Sequence, residues 1–161
     1  MTSSFRYIRA FDDLTLDDLP LVGGKTASLG ELRRLLSDGP VRTPDGFAVT
    51  ADAYRQAISS SPRWDELQAL FRGLDVTDVE TLARTAARAR EIVYEATAEA
   101  ALADEIKQAY RDLERRYGPD LSVAVRSSAT AEDLPDASFA GQHDSFLHVR
   151  GEAAVVEASR R

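Results

Sequence analysis

The chain has 161 residues, 43% hydrophobic and 29% charged, with a formal net charge of −7 and no cysteine. That length suits one domain with a core or a piece of a larger one, and the acidity argues against general nucleic-acid binding, which needs a basic face to displace counterions. Disulfides, thiolate metal sites and cysteine nucleophiles are excluded, which fits a reducing cytoplasm, and no signal-peptide core or bilayer-spanning apolar stretch is present.

Phe5 to Phe11 predicts a short strand, followed by an acidic turn that ends at Pro20. GGKTASLGELRRLLSDGP then carries a helix signature. Ser28 and Glu31 stand at capping-box spacing, and Leu29, Leu32, Leu35 and Leu36 fall on one face. Gly39 and Pro40 give a stop signal. TPDGFAVT predicts a turn into a short strand, and Thr50 can cap the next helix, ADAYRQAI.

From Trp64 to Tyr117 the pattern is helical and reads as scaffold. Thr77 and Glu80 repeat the capping-box spacing, with Val79, Leu82, Ala83, Ala86, Ile92 and Val93 at helical intervals after it. Leu102, Ile106, Ala109, Tyr110, Leu113 and Tyr117 mark a second helix, ended by Gly118-Pro119. Val123 and Val125 alternate as in a strand, and Asp144 to Val149 alternates again. Between them lie about fifteen small, polar or turn-forming residues, a length that in compact domains marks a functional or disordered segment. The expectation is two neighbouring strands joined by a long flap. After Gly151 a helix, EAAVVEASRR, begins. Its Val155 and Val156 have no evident packing partner, so the C-terminus reads as a cut edge with an exposed face.

The only lysines are Lys25 and Lys107. Lys107 lies in a charge-rich helical stretch and reads as a solvated side chain. Lys25, in GGKT, invites comparison with a phosphate-binding P-loop, but that motif needs glycine where Leu19 stands, and the spacing fails. A glycine pair and a lysine before a helix N-terminus remain, a setting that favours an anion through backbone amides, dipole and ammonium. A capped helix with a surface lysine is the alternative. In the flap, small side chains let backbone amides approach a ligand as an anion nest. Ser138, Phe139, Ala140, Gly141 and Gln142 are the candidates, with Phe139 the one apolar anchor. Arg126 ends the first strand, suited to bidentate contact with phosphate oxygens or to an ion pair with Glu132 or Asp133. His143 and His148 differ by five, so on one strand they face opposite sides and do not chelate one metal. Glu132, Asp133 and Asp136 suggest either magnesium or a solvated acidic loop.

LVGGKTASLGEL, TPDGFAVTADAY and VAVRSSATAEDLPDASFAGQHDSFLHV resemble, in order and spacing, the N-terminal nucleotide-binding domain of the phosphoenolpyruvate synthases (pyruvate, water dikinases). The wider family of dikinases that use phosphoenolpyruvate also includes pyruvate phosphate dikinase and the rifampicin phosphotransferases. The resemblance implies an α+β fold: a partial ATP-grasp-like domain over 1–161, with a helical insertion at about 64–117 and a flap between two strands. It implies ATP and Mg2+ as cofactors, with Lys25 and Arg126 on the phosphates and Ser138 to Gln142 as the loop that covers the triphosphate. Thr26 departs from the usual asparagine, and His143 and His148 replace a common glutamine and asparagine. Within these 161 residues no segment resembles the phosphohistidine motif, and the pyruvate-binding barrel and the second ATP-grasp half, with most magnesium ligands, are expected outside them.

The expectation is therefore the ATP-binding portion of a cytoplasmic enzyme that converts ATP, pyruvate and water to phosphoenolpyruvate, AMP and phosphate, with pyruvate reached only through absent domains. These residues alone are not expected to turn over pyruvate. The same domain of a rifampicin phosphotransferase, or a shortened interaction module that binds the rest of the enzyme or itself through its C-terminal face, are the alternatives. Neither nucleic acid nor membrane is expected as a partner.

Overall fold

A computed structural model describes residues 5–37, 39–130, 133–134, 137–138 and 144–161. Strand β1 (Ile8–Ala10) pairs antiparallel with β2 (Phe47–Val49), Ile8 opposite Val49 and Ala10 opposite Phe47. The strand expected from Phe5 to Phe11 is thus three residues long. Before it, the amides of Arg6 and Tyr7 donate to the carboxylate of Glu105 at 3.0 and 2.8 Å. A helix side chain supplies the acceptors that a neighbouring strand would otherwise provide, so these amides are not left orphaned.

Helix α1 (Leu19–Val22) runs through Gly23 into α2 (Gly24–Leu36). The expected capping box is not the start of α2: Ser28 lies inside the helix, whose N-cap is Gly23. Nor is the leucine stripe its buried face. Ala27 and Gly30 are buried, whereas Leu32 and Leu35 are exposed. Leu14, itself 2% exposed, fits against Gly30 and packs with Val22, Ala27 and Ala48. Small side chains let the neighbouring backbone come close, and that proximity outweighs the larger apolar area of the leucines. Thr50, by contrast, caps α3 (Ala51–Ser59) as its sequence predicts, accepting from the amide of Ala53 at 3.3 Å.

The helical stretch consists of α4 (Trp64–Leu70), α5 (Val79–Ala96) and α6 (Ala100–Tyr117). Asp78, not Thr77, caps α5, its carboxylate accepting from the amide of Thr81 at 3.1 Å. Val79, expected on the apolar face, is exposed in that first turn. Ile92 is fully buried against Ile58 and Leu67, with Trp64 and Val93 around them. The expected insertion at 64–117 divides in two. The helices α4 and α5 share this satellite cluster, whereas α6 belongs to the main core, with Leu102, Ile106, Ala109 and Tyr110 packed on Tyr7, Ile8, Ala53 and Val155. Burying each such aliphatic side chain contributes about 1.5–3 kcal/mol.

Strand β3 (Val123–Arg126) pairs antiparallel with β6 (Ser145–Val149), as the flanks of the flap predict. The flap has structure of its own, contrary to a plain loop: β4 (Asp133–Leu134) pairs with β5 (Ala137–Ser138), Asp133 opposite Ser138. Val125 faces Phe146 but Val123 faces Val149, so the one residue between them on β3, Ala124, opposes two on β6, Leu147 and His148. His148 takes the extra step with φ of 57°, a left-handed conformation typical of bulges. Simple alternation therefore does not fix the direction of His148, and His143 lies outside the described residues.

Helix α7 (Glu152–Arg160) corrects the expectation for the C-terminus. Val155 is 3% exposed and sits in the main core, with Val156 packed beside it. The Tyr110 hydroxyl donates to the Leu121 carbonyl at 2.6 Å and accepts from the Gly151 amide at 3.0 Å. That one oxygen fixes the entry to β3 and the start of α7 together. Among the described residues no helix is long and apolar enough to cross a membrane.

Candidate functional site

The first turn of α2 is held against the segment that leaves β3. Thr26 donates its amide to the Ser128 hydroxyl at 3.0 Å, and Gly24 donates its amide to the Ala129 carbonyl at 3.2 Å. Gly23 has φ of 79°, and a Cβ on it would stand 2.1 Å from the Ser128 carbonyl oxygen. Two independent reasons thus require glycine there: a backbone conformation L side chains avoid, and no room for a methyl group. The second glycine differs, since a Cβ on Gly24 would meet nothing within 4 Å.

This clasp places the predicted cations at the two ends of a short path. Lys25 lies between Gly24 and Thr26, the residues whose amides are held, and is exposed on α2. Arg126 is the last residue of β3, exposed, and two positions before Ser128. Lys25 occupies the helix interior by one position and does not precede the helix. Two N-terminal amides of α2 already donate to the chain itself, so the expected anion site built on those amides loses two of its donors. Lys25 and Arg126 each end in a cationic donor of the kind suited to phosphate oxygens.

Ser138 falls in β5, where its backbone pairs with Asp133. Phe139, Ala140, Gly141 and Gln142 lie outside the described residues, as do Glu132 and Asp136. Ser128 is the residue that sequence reading missed. It lies within the same RSSAT run as Arg126, but its partner is 102 positions away, and no local pattern reports such a contact.

Residues 19–161 match the family described as pyruvate phosphate dikinase, AMP/ATP-binding domain. The chain is 48% identical over 154 residues to a phosphoenolpyruvate synthase of Pseudomonas aeruginosa, covering 96% of this chain and 19% of that protein. It is 49% identical over 149 residues to a phosphoenolpyruvate synthase of Deinococcus radiodurans, covering 92% and 19%. A probable phosphoenolpyruvate synthase of Staphylothermus marinus is 43% identical over 159 residues, covering 97% and 19%. The chain spans about a fifth of the length of these relatives.

Proposed function

The chain belongs to the pyruvate phosphate dikinase, AMP/ATP-binding domain family, and from that membership we propose that it is the N-terminal, ATP-holding portion of a phosphoenolpyruvate synthase-like dikinase. ATP lies in an ATP-grasp-type cleft to which residues 1–161 contribute one side. Lys25 and Arg126 neutralise phosphate oxygens, and Ser138, Phe139, Ala140, Gly141 and Gln142 form the cover over the triphosphate. Phosphoryl transfer is accelerated mostly by positioning and electrostatic stabilisation, which is the share these side chains take. A phosphohistidine carrier and a pyruvate-binding domain complete the conversion of ATP, pyruvate and water to phosphoenolpyruvate, AMP and phosphate.

Among the described residues no group of three or more Asp, Glu or His side chains could hold a metal ion.

The observation that supports this reading is the clasp at Ser128, which ties the helix turn bearing Lys25 to the strand end bearing Arg126. Calorimetric titration of the chain with ATP tests it. Lys25→Ala and Arg126→Ala each remove a charged donor, and each is expected to weaken ATP binding about ten- to a hundredfold. Unchanged affinity in both variants would overturn the assignment.

A further inference from the structure

We infer that Ser128 is a positioning residue for nucleotide binding: it touches no phosphate itself but sets where Lys25 stands relative to Arg126. The inference rests on the reading of those two side chains as phosphate contacts. Three observations meet at Ser128. Its hydroxyl accepts the Thr26 amide at 3.0 Å, and the next carbonyl, of Ala129, accepts the Gly24 amide at 3.2 Å. Its own carbonyl oxygen occupies the space where a side chain on Gly23 would begin.

Lys25 is thus bracketed on both sides by amides fastened to the segment that follows Arg126. A lysine side chain is long and flexible, so its useful charge depends on where its Cα is anchored. Arg126 is anchored by β3, opposite Ser145 on β6. With both anchors fixed, two cations from distant parts of the chain are brought to one polyphosphate at little further ordering cost. Loss of the Ser128 hydroxyl frees the Thr26 amide and lets the first turn of α2 fray, which moves Lys25 while leaving both charges in the protein.

The test is a double-mutant cycle read by ATP affinity, together with amide hydrogen exchange at Thr26. Ser128→Ala is expected to speed exchange of the Thr26 amide and to weaken ATP binding about three- to tenfold, the loss of one hydrogen bond's worth of alignment. Ser128→Thr, which keeps the hydroxyl, restores both readouts, and the isosteric Ser128→Val does not. In the Lys25→Ala background Ser128→Ala is expected to change nothing further, because the residue acts through Lys25. An undiminished effect in that background, or unchanged ATP affinity in Ser128→Ala, overturns the inference while leaving the phosphate role of Lys25 intact. Unchanged Thr26 exchange overturns the contact itself. If Lys25→Ala and Arg126→Ala leave ATP affinity unaltered, the functional reading falls and this inference with it, whatever Thr26 exchange reports.

Discussion

The Arg116 guanidinium lies 2.8 Å from the carboxylate of Asp45, a side chain only 7% exposed although it sits in the turn before β2. The same carboxylate accepts from the Tyr117 hydroxyl at 2.7 Å and from the Gly46 amide at 2.7 Å. Arg33, from α2, approaches it to 3.5 Å and also donates to Asp12 at 2.7 Å and to the Pro44 carbonyl at 2.8 Å. One buried charge therefore joins α2, the β2 turn and the last turn of α6.

Asp45→Ala is expected to destabilise the chain by about 2 kcal/mol, below the usual cost of breaking a buried pair because Arg116 can return to water and Arg33 keeps Asp12. Arg116→Ala, at a half-exposed partner, should cost under about 1 kcal/mol. Urea unfolding midpoints measure both; equal losses would show that Asp45 is not the centre of the node.

Tyr117 gives the same node a pH dependence. Its hydrogen bond to Asp45 raises its pKa, with partial desolvation and the nearby negative charge adding to the shift. The folded state therefore holds the proton more tightly than the unfolded chain. The contribution is fully present below the ordinary tyrosine value of about 10 and is lost as pH rises through the higher folded value. Thermal melts across that alkaline range should fall more steeply for the parent chain than for Tyr117→Phe. Parallel slopes would refute the coupling.

Gly30 and Gly24 lie six residues apart on α2 and should respond in opposite ways to alanine. At Gly30 a Cβ would stand 2.6 Å from the Leu14 Cβ and 2.7 Å from the Leu14 carbonyl oxygen. Helix propensity gains up to about 1 kcal/mol, but overpacking in a filled core costs about 1–3 kcal/mol. Gly30→Ala is thus expected to destabilise. Gly24→Ala, facing open space, is expected to be neutral or mildly stabilising, and chemical denaturation of the two variants side by side decides it.

Glu66 joins α4 to α5. It accepts from Arg63 at 2.9 and 3.0 Å and from Arg88 at 2.8 Å. The hydrogen bond from Arg63, then that from Arg88, outweigh desolvation and hold its carboxyl at about 2. A depressed carboxyl contributes stability above its unfolded value, near 4.3, and that contribution disappears as pH falls through about 2. Circular dichroism during acid titration should therefore show an acid-dependent loss in this window that Glu66→Gln lacks. Added salt should shrink the difference at neutral pH, because the pair is solvent-facing.

The residues themselves determined what depends on near neighbours. Thr50 caps α3 because a hydroxyl three residues from an orphan amide suffices, and Gly118 follows α6 where the helical pattern ends. The apolar positions of α6, from Leu102 to Leu113, are buried as their spacing predicts. The paired strands around the flap and the three motifs of the family were equally legible, since their order and spacing are written in the chain. Tertiary packing decided the rest. Which face of α2 is buried depended on Leu14 fitting against Gly30, so four well-spaced leucines misdirected the reading. Val155 found its place only when α6 and the strands met it. Ser128 became part of the candidate site only because folding closed a gap of 102 residues onto the start of α2; local propensity acts over a few residues, whereas close approach is set by the whole packed core.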